Sequence, residues 1–170
     1  ALVQTALKGD ELVLRAPGML ALHVAVDRIE GRTEAEVWGH RVAAYDMGAL
    51  CAQWFTDFLG LPLRLARFDP EAARRADRRW TGAIDAATAF QDGFPLLVAS
   101  TASLAELNRR LARAGEAPAT MARLRPNLVI SGVDAHGEDH LDEIVFAAAD
   151  GPVRLKLVKP CARCSIPDVD

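Results

Sequence analysis

The sequence predicts an α+β protein that is richer in strands than in helices. Short segments in which apolar and polar residues alternate, the pattern of half-buried strands, recur along the 170 residues. Only two segments have the spacing of an amphipathic helix, and strands do not alternate regularly with helices as they do in a parallel doubly wound fold. The pair Asp150-Gly151 separates two strand segments and is typical of a tight hairpin turn.

Nine strands are predicted from this alternation and from short apolar runs bounded by turn residues. They cover residues 11–15, 20–26, 33–38, 41–45, 62–68, 96–99, 127–131, 143–148 and 153–158. A hairpin turn is expected at Gly39-His40, between the third and fourth strands. Residues 69–93 carry no pattern that places them, and Trp80-Thr81-Gly82 within them is expected to form a mobile loop over a site.

The first helix is expected to use Asp46 as its cap and to end at Leu59, because Gly60 suits a helix C-terminus. Its apolar residues fall near one face of the helix. Cys51 is one of them, so we interpret it as a small core residue and not as a ligand.

The second helix is expected to begin at Ser103, because Ser103 and Glu106 have the spacing of a capping box, and to run to about residue 114. A strand precedes it, and the hydroxyl groups of Ser100, Thr101 and Ser103 lie around its start. Backbone N–H groups at such a start bind phosphate and other anions. Capping alone also explains these residues, so both interpretations stay open.

Composition excludes several classes of protein. Hydrophobic residues make up 51% and charged residues 25% of the chain, as in ordinary globular proteins. Three cysteines cannot all pair, which favours a reducing compartment and a cytoplasmic location. The sequence has no secretory signal and no apolar run long enough to cross a bilayer, so no membrane partner is expected. A net charge of -3, with basic residues neither on one helix face nor interleaved with aromatic ones, argues against nucleic acid.

Two of the cysteines, Cys161 and Cys164, lie in the segment Lys-Pro-Cys-Ala-Arg-Cys at residues 159–164. From Gly151 to Cys164 the chain has four basic residues and no acidic one. Neighbouring cations favour the thiolate, which is the form that binds metals or attacks disulfides. A thioredoxin-like pair would need this motif at a turn near the start of a βαβ unit, whereas here it lies near the end of the chain.

Other residues also suit a site. Arg125-Pro126-Asn127 leads into a strand, and it offers a charge, a fixed backbone angle and an amide that both donates and accepts. Glu138 and Asp139 have the chemistry of acid–base groups but are equally explained as structural or solvated carboxylates.

A zinc site is a further alternative. His136, His140, Cys161 and Cys164 are the ligand types of a Cys2His2 centre. Their spacing differs from that of a zinc finger, and Gly137 disfavours a helix that presents both histidines.

Several motifs occur in the order that they have in one known family. They include Val37-Trp38, residues 54–60, Phe-Gln-Asp-Gly-Phe-Pro-Leu-Leu at 90–97, residues 103–108, Arg-Pro-Asn-Leu-Val-Ile-Ser-Gly at 125–132, Glu138-Asp139, residues 142–144, residues 158–164 and Val169-Asp170. As an ordered set they resemble the MOSC domain, the family of molybdenum cofactor sulfurase C-terminal domains and amidoxime-reducing enzymes. The resemblance extends over nearly the whole chain.

The resemblance implies a β-rich MOSC β-barrel core at residues 71–170, truncated at its C-terminus. Residues 1–70 would be the remainder of a MOSC N-terminal β-barrel domain. Two departures from the family pattern affect details of the site. His140-Leu141 stands where a Ser-Trp pair is common, and Pro167-Asp168 stands where amidoxime-reducing members often have two threonines, which implies a different substrate surface.

By the same resemblance, the cofactor is molybdenum–molybdopterin, and one cysteine holds the metal. Where two cysteines stand as C-x-R-C the second is the ligand, so Cys164 is expected to be the catalytic metal ligand and Cys161 an accessory thiol. The spacing alone does not choose between the two thiols. The other expected cofactor contacts are Ser100, Thr101, Ser103, Arg125, Asn127, Ala162 and Arg163.

The implied activity is reduction of small N-hydroxylated compounds, with electrons from a donor protein or a fused ferredoxin domain. Two alternatives stay open: a cofactor-binding or sulfur-carrier module without turnover, with pyridoxal phosphate or a cysteine persulfide in place of the molybdenum cofactor, and the zinc module. Relatives carry a Lys-Ser pair that is absent before Val37, and Asp170 follows Cys164 closely. We therefore expect this chain to hold the cofactor poorly and Arg125, Ser103 and Cys164 to face one cleft.

Overall fold

A computed structural model describes residues 2–72 and 74–165. It confirms the α+β prediction, with strands that form sheets of two or three members and with helices between them. The chain divides into two compact units, Ala1–Arg75 with Ala87–Gly93 and Ala76–Ala86 with Phe94–Asp170. The predicted features at Pro167-Asp168 and Val169-Asp170 lie outside the described residues.

The first unit contains antiparallel sheets and one long helix. Its elements are β1 (Gln4–Lys8), β2 (Glu11–Arg15), β3 (Leu22–Ala25), β4 (Gly31–Val37), β5 (His40–Asp46), α1 (Ala49–Leu59), β6 (Ala66–Phe68), β7 (Arg74–Arg75) and β8 (Ala87–Thr88). They pair in the orders β1-β2-β3, β4-β5-β6 and β7-β8. A 3-10 turn, Pro70–Ala72, follows β6.

The core of this unit forms where α1 covers the first sheet. Trp54 packs with Leu14, Leu22, Val24 and Cys51, all of them buried. The Trp54 Nε1–H donates to the Leu20 carbonyl at 2.8 Å, so the polar end of the indole is also satisfied. The prediction that Cys51 is a core residue is confirmed, and burial raises the pKa of its thiol.

The start of α1 differs from the prediction. Gly48, with φ of 105°, occupies the cap position, and its backbone N–H donates to the Asp46 carboxylate at 2.9 Å. The Asp46 side chain therefore braces the turn before the helix instead of capping the helix itself. Gly60 ends the helix in the left-handed conformation, as predicted.

Both predicted hairpin turns shift by one residue. Val37 pairs with His40, so Trp38-Gly39 makes the first turn, and Trp38 adopts a positive φ of 51°. Ala148 pairs with Gly151 in the later hairpin, so Ala149-Asp150 makes that turn and Gly151 begins the strand. Glycine tolerates a positive φ both within a turn and directly after it. The residue types alone therefore predicted each turn one residue too late in the chain.

The second unit is built around one parallel strand pair. Its elements are α2 (Arg78–Thr81), β9 (Val98–Ser100), α3 (Thr101–Ala114), α4 (Met121–Leu124), β10 (Leu128–Ile130), β11 (Glu143–Ala148) and β12 (Gly151–Lys156). β9 and β10 are parallel, and α3 and α4 make the crossover between them. β11 and β12 form a separate antiparallel hairpin, and a 3-10 turn, Gly137–His140, follows β10. Among the described residues, no helix is long and apolar enough to cross a membrane.

We expect Leu14→Ala to destabilise the first unit by about 2–5 kcal/mol, because the side chain is 2% exposed and its loss leaves a cavity. Leu7→Ala is the matched control, since Leu7 lies in β1 of the same sheet and is 71% exposed. Its free energy of unfolding should change by no more than about 0.5 kcal/mol. Urea titration measures both, and equal losses would contradict this core assignment.

Candidate functional site

The parallel pair of β9 and β10 gives the second unit two distinct ends. At the amino end, the Asn127 N–H donates to the Leu97 carbonyl at 2.9 Å, and the Leu97 N–H donates to the Asn127 side-chain oxygen at 2.9 Å. At the carboxyl end, Ser100 pairs with Ile130. Strands rise about 3.3 Å per residue, so the three residues from Leu97 to Ser100 put the two ends about 10 Å apart.

The carboxyl end holds a closed hydrogen-bond network. Ser100 is fully buried and caps α3 by accepting from the Ser103 N–H at 3.0 Å. The Ser103 hydroxyl accepts from the Ser100 hydroxyl at 2.8 Å and from the His136 N–H at 2.7 Å. It donates to the Glu138 carboxylate at 2.8 Å, which completes its hydrogen bonds.

Glu138 supplies the negative charge at the start of α3. Its other carboxylate oxygen accepts from the Ser100 N–H at 3.0 Å. Burial by itself raises the pKa of Glu138, but hydrogen bonds from Ser103 and Ser100 outweigh burial and hold the pKa below its usual value. Glu138 is therefore an ionised structural anchor, the interpretation that the sequence left open beside acid–base chemistry.

The predicted capping box at Ser103 and Glu106 is wrong. The helix begins one turn earlier, with Ser100 as its cap, because β9 runs directly into α3. Ser103 instead occupies the third helical position, and Glu106 forms ion pairs with Arg109 and Arg110 along the helix.

Arg125 and Asn127 lie at the amino end of the strand pair, and both are exposed. Arg125 ends α4 in the left-handed conformation, with φ of 51°. Only a few per cent of non-glycine residues have positive φ, and such residues cluster at functional sites. Arg125 thereby connects α4 to the start of β10.

The cysteine segment, residues 159–164, reaches this same end. The Arg163 guanidinium donates to the Leu124 carbonyl at 2.8 Å and contacts the Cys161 sulfur at 3.6 Å. Leu124 directly precedes Arg125, so this bond brings the segment beside the backbone at Arg125. Cys161 and Cys164 are both exposed free thiols.

The predicted site residues therefore divide into two groups. Cys161 and Arg163 reach the amino end through the bond from Arg163 to the Leu124 carbonyl, and Arg125 and Asn127 lie at that end. Ala162 and Cys164 belong to the same exposed segment as Cys161. Ser100 and Ser103 lie at the carboxyl end, where their hydroxyl groups are occupied within the protein, and Thr101 is exposed as the first residue of α3. The hydroxyl of Ser103 is directed to Glu138, and the expectation that Arg125, Ser103 and Cys164 face one cleft stays a prediction.

The zinc alternative gains no support. His136, His140, Cys161 and Cys164 are all described, and within the described part of the chain no group of three or more His, Cys, Asp or Glu side chains is placed to hold a metal ion. His136 takes part in the Ser103 network through its backbone N–H.

Sequence reasoning missed three features of the site. The partnership of Glu138 with Ser103 joins residues 35 apart in the chain, and no local pattern indicates it. The role of the Leu124 carbonyl was also missed, because a backbone acceptor leaves no residue-type signal. The positive φ of Arg125 was similarly invisible, since glycine is the residue that usually marks this conformation.

Two protein-family models match this chain. The family model of the MOSC domain matches residues 85–170, just over half of the chain. The chain belongs to the MOSC family. A second model, the MOSC N-terminal beta barrel domain, matches residues 1–62. The resemblance predicted from the motifs is confirmed, while the domain boundary at residues 70 and 71 stays a prediction.

Relatives of this MOSC chain include amidoxime-reducing components. The chain is 33% identical over 174 residues to mitochondrial amidoxime reducing component 2 of Bos taurus, with 99% of this chain and 49% of that protein covered. It is 34% identical over 174 residues to mitochondrial amidoxime-reducing component 1 of Homo sapiens, again with 99% and 49% covered. The chain spans about half the length of these relatives.

A solved structure also shares sequence with part of this MOSC chain. A Bordetella bronchiseptica protein of known solution structure is 36% identical in sequence, and the match covers 44% of this chain and 60% of that protein's chain. The TM-score of 0.38 is too low for a comparison of the two folds.

We expect Glu138→Gln to destabilise the protein by about 1–3 kcal/mol at neutral pH, because it replaces a carboxylate that accepts charge-assisted hydrogen bonds. The folded-state pKa is lowered, so the stabilisation is fully present above the unfolded value of about 4.3 and is lost as pH falls through the folded value. Chemical denaturation of both proteins between about pH 7 and pH 3 measures the difference.

The exposed Glu116 provides the control for this experiment. Glu116→Gln should leave stability within about 0.5 kcal/mol of the parent. A Glu138→Gln difference that stays constant across the pH range would show that the charge of the carboxylate plays no part in the network.

Proposed function

We propose that this chain is the cofactor-holding part of a molybdenum-dependent oxidoreductase that reduces N-hydroxylated compounds. Membership of the MOSC family and the names of the amidoxime-reducing relatives support this class of reaction. The observation that carries the proposal is the bond from Arg163 to the Leu124 carbonyl. It joins an exposed two-cysteine segment to the Arg125 end of β9 and β10, so a thiol and a phosphate-binding cation belong to one region.

The donor groups at this end fit a molybdenum cofactor. Thiolate is a soft ligand that suits a thiophilic metal, and a single protein thiolate is enough when a dithiolene supplies the other sulfurs. Arg125 is exposed and carries the planar donor set that pairs with phosphate. The amino end therefore offers one ligand for the metal and one cation for the phosphate of the pterin.

The hydroxyl groups of Ser100 and Ser103 do not fit that role. Each is already bonded within the network, and Glu138 places a negative charge beside them. A phosphate at the same position would meet that carboxylate and would be repelled by it. We therefore assign phosphate binding to Arg125 and Asn127 and leave Thr101, which is exposed, as the remaining hydroxyl at the start of α3.

Each residue at the amino end then has a distinct task. When bound, the molybdenum cofactor supplies the two-electron chemistry. Cys164 would hold the metal, and Arg163, which donates to the Leu124 carbonyl, would position the backbone directly before it. Asn127 uses its side-chain oxygen to bind the Leu97 N–H, which orients its amide nitrogen as a donor at the same end.

Substrate and electron donor follow from the class of reaction. Reduction of an N-hydroxylated compound consumes two electrons, so a donor protein or a fused ferredoxin domain must deliver them. An exposed cysteine segment allows both the substrate and the donor to approach. A cytoplasmic location stays a prediction from the cysteine content.

Sulfur transfer is a second candidate function. The Arg163 guanidinium contacts the Cys161 sulfur at 3.6 Å, and a cation beside sulfur also stabilises a persulfide anion. Mass spectrometry of the chain after incubation with a polysulfide distinguishes the two functions, because the thiolate takes one sulfane sulfur and the donor leaves one sulfur shorter, so that Cys161 or Cys164 gains one sulfur atom.

Cys164→Ser should abolish molybdenum content in protein from a cofactor-competent host while leaving stability within about 1 kcal/mol, because the exposed thiol contributes little to packing. Cys161→Ser is the matched variant and should retain molybdenum. Metal analysis of both decides the assignment. Unchanged molybdenum in Cys164→Ser would refute it, and loss only in Cys161→Ser would move the ligand to Cys161.

Arg125→Ala should weaken cofactor retention by about 1.5–3 kcal/mol, the usual cost of losing a charge-assisted hydrogen bond. Arg74 is unsuitable as the comparison because its guanidinium donates to the Gln91 and Asp92 carbonyls. Arg109→Ala on the exposed face of α3 is the better control. Equal retention of molybdenum and pterin by the two variants would limit Arg125 to a structural role.

A further inference from the structure

The cysteine segment needs contacts beyond its own backbone to hold a position. Residues 157–164 follow β12 without forming a helix or strand, and residues 159–165 are all exposed. The Leu157 N–H donates to the Asp142 carbonyl at 2.9 Å before the segment, and Arg163 bonds to Leu124 near its end. Between these two points lie Pro160 and Cys161.

A tryptophan contacts the segment within that interval. The Lys159 ammonium lies over the ring of Trp80, 4.9 Å from its centroid. This separation is within the range of a cation–π interaction, for which tryptophan is the best aromatic partner. Lys159 stands two residues before Cys161, so its position limits where the first thiol lies.

The backbone around Trp80 is fixed by the cap of its helix, while the Trp80 side chain is 44% exposed. Trp80 lies in α2, where the Asp77 carboxylate caps the helix by accepting from the Arg79 N–H at 2.9 Å. The Arg79 side chain returns to the same carboxylate at 2.5 Å, and Thr81 is 4% exposed. Hydrogen bonds from Arg79 are the main cause that lowers the pKa of Asp77, and the charge of Lys159 adds to the effect.

We propose that Trp80 is a positioning residue for the cysteine segment, and that its indole face fixes the Lys159 ammonium. Two cations then hold the segment, Lys159 on the Trp80 ring and Arg163 on the Leu124 carbonyl, with Cys161 between them and Cys164 directly after the second. The inference deepens the proposed function, because it rests on the segment being the site of the metal ligand. Trp80-Thr81-Gly82, predicted to be a mobile loop, is therefore interpreted as a fixed support, because Trp80 and Thr81 lie in α2 and Gly82 ends it.

The arrangement accounts for the choice of residues. An aromatic face attracts an ammonium group through the ring quadrupole and adds no charge of its own. Pro160 restricts the backbone directly after the anchored lysine, so the fixed position is transmitted to Cys161.

Trypsin cleavage after Arg163 tests this proposal on the chain without cofactor. Substitution of residue 159 leaves the tryptic sites unchanged, because Pro160 blocks cleavage at that bond. We expect Trp80→Leu and Lys159→Met each to raise the cleavage rate at Arg163 about twofold to fivefold, as expected from an interaction of about 0.5–1 kcal/mol. Trp80→Phe and Lys159→Arg should restore most of the parent rate, because each keeps the ring or the cation.

Two controls make the result specific. The double variant Trp80→Leu with Lys159→Met should cleave no faster than the faster single variant, because the two share one interaction. Trp38→Leu, which removes an exposed tryptophan bonded to Asp92 in the other unit, should leave the rate at Arg163 unchanged.

Unchanged cleavage in both single variants would overturn the proposal. An equal increase in the cleavage rate after Arg113 in α3 would also overturn it. So would a double variant whose increase in cleavage rate is the product of the two single increases. Because this measurement needs no molybdenum, its failure is separate from a failure of Cys164→Ser to lose the metal.

Discussion

The parallel pairing of β9 and β10, joined at its amino end by the hydrogen bonds between Asn127 and Leu97, puts Ser100 at one end of the pair and Arg125 at the other. Parallel pairing requires a crossover, and α3 and α4 supply it. The crossover returns the chain to the amino end of the pair at Leu124, and Arg125 must then take a left-handed conformation to enter β10. An exposed cation therefore stands where the chain reverses.

The same pairing separates two chemistries that look alike in sequence. Serines at the start of a helix and an Arg-Pro-Asn motif both suggest anion binding, but the strands put them at opposite ends. At the carboxyl end Glu138 already occupies the anion position of α3, with its pKa lowered by the serine hydrogen bonds despite the opposing effect of burial. A protein carboxylate thus performs the task that a ligand would otherwise have.

The cysteine segment depends on contacts with parts of the chain that are distant in sequence. Arg163 donates to the carbonyl of Leu124, which is 39 residues earlier in the chain. Lys159 contacts Trp80, which is earlier still. Both contacts leave the thiols exposed. The segment is therefore held by contacts with distant residues and not by burial of the sulfur atoms.

The sequence predicts the α+β class, the family, nine of the strands and the burial of Cys51, but it does not predict β1, β7 and β8. Those features depend on local periodicity, on turn residues and on ordered motifs, which act over a few neighbouring residues. It also predicts both hairpin turns to within one residue. The error of one residue arises because Gly39 and Gly151 indicate a positive φ but not the side of the turn on which they lie.

The tertiary structure alone decided which candidate residues meet. Ser100 became the cap of α3 because β9 leads straight into the helix, and Ser103 turned to Glu138 because the 3-10 turn after β10 returns to that point. The approach of Arg163 to the Leu124 carbonyl and of Lys159 to Trp80 arises from the crossover and the hairpin that follow. A hydrogen bond to a backbone carbonyl, or a cation over a ring, needs no particular spacing in the chain. Such contacts are therefore fixed by the fold and leave no pattern in the sequence.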